Sequence, residues 1–136
     1  MVAVRFHGRG GQGAKTASRI LGTAAFMSGY VAQDSPIYGA ERRGAPVAAF
    51  TRFSREPIRE RGAITYPDVI VVADASLLED ATARVLDGMD DQTVLFVNSS
   101  LNTAALRAHL SLPEQVTAQD VTGIALQQLG QREAIS

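Results

Sequence analysis

Residues 2–14 read Val2-Ala3-Val4-Arg5-Phe6-His7-Gly8-Arg9-Gly10-Gly11-Gln12-Gly13-Ala14. A short apolar run fills positions 2–6, four glycines follow, and an amphipathic segment begins near Ala14. The order is a strand, a tight turn without side chains, then a helix N-terminus. Gly8, Gly10 and Gly13 stand at the G-x-G-x-x-G spacing, with Gly11 as an extra glycine. Such a turn lets backbone N–H groups approach an anion closely, where the positive end of the helix dipole favours it. The spacing alone is a weak signal, and the strand and helix on either side give it weight.

Beyond the turn, Ala17, Ile20, Leu21, Ala24, Ala25 and Ser28 recur at helical spacing, with Lys15, Ser18, Arg19 and Thr23 largely off that stripe. This predicts an amphipathic helix with a small packed face, ended by Gly29. Residues 31–33 read as a short second strand, with Asp34 at its carboxyl end. Two prolines and two glycines make 35–46 a loop, and Pro46 opens a strand over 47–53. A polar connector spans 55–67. The continuous apolar run at 69–73 is expected of a central parallel strand covered on both faces. Ser76-x-x-Glu79 resembles a capping box opening a helix to about residue 86. Then come a strand at 94–97 ending in Asn98-Ser99, a helix over 102–110, a strand at 116–118, and a helix capped by Asp120 running to 129. Alternating strands and helices imply one α/β domain with a mostly parallel sheet.

The bulk numbers narrow the function. At 136 residues the chain makes one domain, with 46% hydrophobic and 20% charged residues as in soluble globular proteins. No apolar stretch approaches the roughly 20 residues that cross a bilayer. The N-terminus does not read as a signal peptide, so the expected location is cytoplasmic, away from any membrane. Cysteine is absent, which excludes disulfides, thiolate-held iron–sulfur clusters and a cysteine nucleophile. With His7 and His109 the only histidines, no metal site is expected.

Charge is uneven: residues 1–61 carry a balance of +6 and residues 62–136 one of −7, and nearly every cation is arginine. Arginine suits bidentate contact with phosphate or carboxylate. Six arginines lie at positions 42–61, but acidic residues dilute them and aromatics do not interleave, so nucleic-acid binding is not expected. Arg42-Arg43, in a glycine- and proline-rich loop, suit a phosphate, a carboxylate or another subunit. In the turn, Gln12 is a candidate donor to a ligand or partner. Asp34 stands about 20 residues past the turn, where a dinucleotide fold places the carboxylate that holds a ribose hydroxyl. This keeps open a self-sufficient nucleotide-binding oxidoreductase. His7 reads as a buried or hydrogen-bonded histidine and His109 as structural. No nucleophile elbow or paired carboxylate stands out, and no catalytic residue is assigned.

Gly8-Arg9-Gly10-Gly11-Gln12-Gly13 and Tyr38-Gly39-Ala40-Glu41-Arg42-Arg43-Gly44-Ala45-Pro46 together resemble one family. It is the γ subunit or γ domain of the thiamine-diphosphate-dependent 2-oxoacid:acceptor oxidoreductases, the pyruvate:ferredoxin oxidoreductase type. Pro67-Asp68-Val69-Ile70-Val71, Val97-Asn98-Ser99 and Ile124-Ala125 extend the resemblance over nearly the whole chain. It implies a Rossmann-like three-layer α/β/α domain over residues 1–136, without the C-terminal extension usual in the family. It further implies a component inactive alone, within an assembly that oxidatively decarboxylates a 2-oxoacid, usually to an acyl-coenzyme A, and passes electrons to ferredoxin or a similar acceptor.

The implied partners are α, β and ferredoxin-like δ subunits or domains, which hold thiamine diphosphate and the iron–sulfur clusters. The γ part packs on the catalytic subunits near the coenzyme A side of the site. Carried over, Gly8, Arg9, Gly10, Gly11, Gln12 and Gly13 form one loop facing those subunits or an anionic ligand. Tyr38, Glu41, Arg42, Arg43 and Gly44 form the second. A scaffold that binds no ligand is a further reading, and apolar surface left bare without partners is expected to favour homodimers of the isolated chain.

Overall fold

The structure, a computed structural model, describes residues 1–36 and 42–130. Tyr38 and Glu41 lie outside the described residues. Among the described residues, six strands form one sheet: β1 (Val2–Arg9), β2 (Val31–Pro36), β3 (Pro46–Ser54), β4 (Val69–Val72), β5 (Val94–Asn98) and β6 (Val116–Gln119). Three helices accompany them: α1 (Ala14–Met27), α2 (Thr103–Leu110) and α3 (Val121–Leu129). The strand order is β2-β3-β1-β4-β5-β6. β1, β4, β5 and β6 run parallel, whereas β3 is antiparallel to both its neighbours. The α/β architecture with a mostly parallel sheet is as expected.

Strand alternation sorts the core. On one face, Val4 and Phe6 pack with Ala14 and Ala49, supported by Ala17 and Leu21 of α1. On the other, Ile70, Val72, Leu95 and Val97 are wholly buried beneath Leu77 and Leu106. From β1 the chain leaves through α1 toward β2, whereas from β4 it proceeds the opposite way to β5 and β6. The carboxyl ends of β1 and β4 therefore flank a topological switch point, where open α/β sheets form their binding crevice.

Four local expectations change. β2 runs to Pro36, so Asp34 sits within the strand, paired with Thr51. The helix expected over 76–86 is instead two 3-10 turns, Ala75–Leu78 and Ala81–Ala83. The carboxylates of Asp74 and Asp80 accept the N–H groups of Ser76 and Thr82. Each starts a new turn and prevents one continuous helix. The cap is thus Asp74, and Glu79 lies 3.7 Å from His109.

The packed stripe of α1 is also rotated. Its buried residues are Ala14, Ser18, Gly22 and Ala25, while Ile20 is 63% exposed. The Ser18 and Thr51 hydroxyls meet at 2.7 Å, and Thr51 Oγ1 also bonds the Ser18 carbonyl oxygen at 2.9 Å, pinning α1 to β3. Ile20 and Ala24 are left facing outward.

Among the described residues no α-helix covers β1 and β3 on the face opposite α1. The connector at 55–67 takes that place, held by two buried arginines. Arg52 donates to the carbonyl oxygens of Gly62 (2.8 Å) and Ala63 (3.1 Å), and Arg5 to those of Ile64 (3.0 Å), Val85 and Asp87. Each guanidinium supplies donors that an irregular segment needs when it is buried without a ladder. Arg52→Met is expected to leave these carbonyls unpaired and to cost about 3 kcal/mol. Chemical denaturation measures the loss, and limited proteolysis is expected to cut first within 55–67.

Candidate functional site

At the switch point lies an open cleft of about 760 Å³. Arg9, Gly10 and Gly11 form one wall with Arg43 and Gly44, Ala73 and Asp74 form the floor, and Asn98, Ser99, Ser100 and Thr122 form the other wall. The structure thus joins both motif loops. The Gly10 N–H donates to the Ala45 carbonyl oxygen at 2.8 Å, the Gly44 N–H to that of Gly10 at 3.2 Å, and Gly10 bridges Arg43. At Gly10 only glycine serves, because a Cβ would run into the Arg42 carbonyl oxygen. Gly8, next to last in β1, lies against Ala14. Gly13 takes the left-handed conformation at φ +80° and begins α1 without a side-chain cap, so the first-turn N–H groups have no capping side chain.

Gln12 is engaged within the chain. Its Oε1 accepts the Arg9 N–H at 2.7 Å, and its Nε2 donates to Asp74 Oδ2 at 2.8 Å. It holds the turn from a position on the lining of the cleft. Arg9 is likewise engaged: it donates to Ser76 Oγ (2.9 Å) and the Gly44 carbonyl oxygen (3.1 Å), and lies 3.6 Å from Asp74 and 3.9 Å from Asp80. Burial alone raises the Asp74 pKa. Hydrogen bonds from the Ser76 hydroxyl, Gln12 and the Ser76 N–H, with Arg9 nearby, outweigh this and hold it below the usual carboxylate value.

Arg42 and Arg43 are exposed, and neither side chain makes a polar contact among the described residues. Arg43 borders the cleft and Arg42 precedes it in the same loop, and no described residue takes up the donors of either. Asp34 is not brought to the cleft. With β3 between β2 and β1, it stands two strand spacings from β1, about 10 Å, beside Gly22 in the middle of α1. Asp74 and Thr122 are cleft residues that the motifs did not identify, and Asn98 stood in a matching stretch without a role assigned, although all three lie at or beyond the carboxyl ends of parallel strands. Among the described residues no group of three or more His, Asp or Glu is placed to hold a metal. Nor is any helix among them long and apolar enough to cross a membrane.

Beside the cleft, an apolar groove of about 100 Å³ runs between α1 and α3. Phe6, Val71 and Phe96 are its floor, with Ala14, Ala17 and Val121 at its sides.

Several comparisons bear on this geometry. The model of the family described as pyruvate ferredoxin/flavodoxin oxidoreductase matches residues 3–136. The pyruvate/ketoisovalerate oxidoreductases common subunit gamma of Thermococcus kodakarensis is 47% identical over 131 residues, covering 96% of this chain and 70% of that one. Pyruvate synthase subunit PorC of Methanosarcina barkeri is 43% identical over 130 residues, with 96% and 69% covered. The crystal structure of pyruvate oxidoreductase subunit PORC from Thermotoga maritima superposes with a TM-score of 0.79 at 35% identity. It covers 98% of this chain and 70% of that one.

His7, expected to be buried, is 4% exposed and lies between Ala48 and Val72 in the sheet, with Nε2 unpartnered. Burial, then the charge of Arg5, pulls its pKa down to about 4, against an opposing pull from Asp87. The unfolded chain, near 6.5, binds this proton more readily, so stability is expected to fall as pH drops from about 6.5 to 4. Asp74 contributes its own loss only below that window. Thermal melts across pH 4–7 should therefore slope for wild type and flatten for His7→Phe, and equal slopes would contradict the assignment.

Proposed function

The chain belongs to the pyruvate ferredoxin/flavodoxin oxidoreductase family as a gamma-type subunit, and on that premise we propose how it works within its complex. It is a component inactive by itself, in a thiamine-diphosphate-dependent 2-oxoacid:acceptor oxidoreductase of the cytoplasm. It packs on α and β subunits, with a ferredoxin-like δ subunit completing the assembly, and its cleft faces the coenzyme A side of the catalytic site. Having no cysteine, this chain leaves thiolate-held iron–sulfur clusters to those partners.

The observation that carries the reading is the meeting of two glycine- and arginine-rich loops at the switch point, where Arg42 and Arg43 have no polar partner among the described residues. Coenzyme A brings several phosphate charges, and the cleft offers what phosphates require: guanidinium donors beside an uncapped helix N-terminus. Arg42, Arg43 and the backbone N–H groups of the glycine turn would hold them. The partners' contact is supported by apolar surface left bare on the α1 side of the sheet. β4 and β5 are apolar on both faces, as sheets covered on both sides are, yet Val94 and Ile20 remain 48% and 63% exposed on the α1 side.

The test is purification of the assembled complex, followed by mass spectrometry and 2-oxoacid-dependent viologen reduction with coenzyme A varied. Co-purifying thiamine-binding and iron–sulfur subunits with activity are expected. Arg42→Glu with Arg43→Glu is expected to raise the KM for coenzyme A by about tenfold or more, as loss of charge-assisted hydrogen bonds does. Loss of subunit association, with no effect of coenzyme A on the intact complex, would instead make the chain a scaffold. For the isolated chain, the same bare apolar surface predicts homodimers in sedimentation, and a monomer at all concentrations would contradict that.

A further inference from the structure

The two walls of the cleft are fastened to adjacent residues just past β4, one wall to Asp74 and the other to Ala73. On one side, Gln12 joins the Arg9 N–H to the Asp74 carboxylate. On the other, Asn98 Nδ2 donates to the Ala73 carbonyl oxygen at 3.0 Å and to Thr122 Oγ1 at 2.9 Å. Its Oδ1 accepts the N–H groups of Val121 at 2.9 Å and Thr122 at 3.3 Å, which open α3. Each side chain donates and accepts at once, which an amide does and a carboxylate or an aliphatic group does not. The orientation of Gln12 is fixed by chemistry, since an ionised Asp74 only accepts.

The anchor itself is rigid. Val72, just before Ala73, is wholly buried, and Asp74 Oδ1 is held separately by the Ser76 N–H at 3.0 Å and the Ser76 hydroxyl at 2.6 Å. The backbone bonds of Gly10 tie the glycine turn to the second loop, and its tie to the end of β4 is the bond between Gln12 and Asp74 Oδ2, together with the adjacent Arg9 contacts.

We propose that Gln12 and Asn98 are positioning residues that bracket the end of β4 and set the placement of the two cleft walls, whereas the bound anion is met by the turn's N–H groups, Arg42 and Arg43. The proposal rests on the cleft being the coenzyme A side of the complex.

The Gln12–Asp74 bond has a polarity that can be reversed. Gln12→Glu sets two carboxylates at hydrogen-bond distance, where their charges repel. Adding Asp74→Asn restores the bond with the donor on the other side. The amide introduced at position 74 then donates to the carboxylate at position 12, its oxygen still accepts from Ser76, and the net charge is unchanged.

The experiment compares wild type, Gln12→Glu, Asp74→Asn and the double variant in the assembled oxidoreductase, varying coenzyme A. In parallel, NMR reads hydrogen exchange at the Arg9 amide of the full chain. Gln12→Glu is expected to raise the KM for coenzyme A about tenfold with kcat nearly unchanged, and to speed Arg9 exchange. The double variant is expected to return both close to wild type. Asn98→Asp, which removes both donors from the other wall, is expected to raise the same KM and speed exchange at Val121 and Thr122. Unchanged Arg9 exchange in Gln12→Glu, or a double variant no better than the worse single one, overturns the proposal. If exchange is perturbed and rescued while the KM stays constant, the bracket stands and the coenzyme A reading fails.

Discussion

The hydrogen bond from Gln12 to Asp74 joins the two halves of this fold. β1 and β4 are neighbours in the sheet, but the chain departs from them in opposite directions, and nothing in the parallel ladder itself specifies where the loops beyond their ends should lie. Asp74 supplies that specification. Its carboxylate collects Gln12, Ser76 and Arg9 at one point, and through Arg9 the second loop is tied in at Gly44. A network of this kind is worth having only when every member is satisfied, because a half-paired carboxylate away from water costs more than it returns. Here the polar atoms of Gln12 and both oxygens of Asp74 have partners.

This arrangement divides labour among residues that look alike in sequence. Arg9, Arg42 and Arg43 all belong to glycine-rich loops, yet Arg9 is spent on internal contacts while the other two have no polar partner among the described residues. Arg5 and Arg52 have a third role: they stand in for a covering helix by donating to carbonyl groups of the 55–67 connector. The +6 balance of residues 1–61 is therefore mostly not an anion-facing surface. Only a small part of it borders the cleft.

The sequence was informative where one segment alone decides the outcome. The glycine turn, the apolar run at 69–72 and the cap Asp120 are local matters, and the structure has them in place. It was uninformative where the partner is remote. Nothing in residues 46–54 says that this strand inserts antiparallel between β1 and β2, and that insertion is what removes Asp34 from the cleft. Periodicity put Ile20 on the packed face of α1, but the Thr51 hydroxyl on β3 turned Ser18 inward instead. Ser76 and Glu79 fit a capping box, but the stronger acceptors Asp74 and Asp80 cut the segment into two turns. The resemblance rested on two motifs well separated in the chain, and their meeting at Gly10 and Arg43 gives it a physical basis.

The central claim is that these two loops form one surface facing coenzyme A in the assembled oxidoreductase. Hydrogen–deuterium exchange of the intact complex with and without coenzyme A tests it most directly. The account predicts slower exchange on adding coenzyme A in peptides covering residues 9–13 and 42–45 together, with the distant 55–67 connector unchanged. Protection confined to partner subunits, with both loops indifferent to coenzyme A, would contradict it.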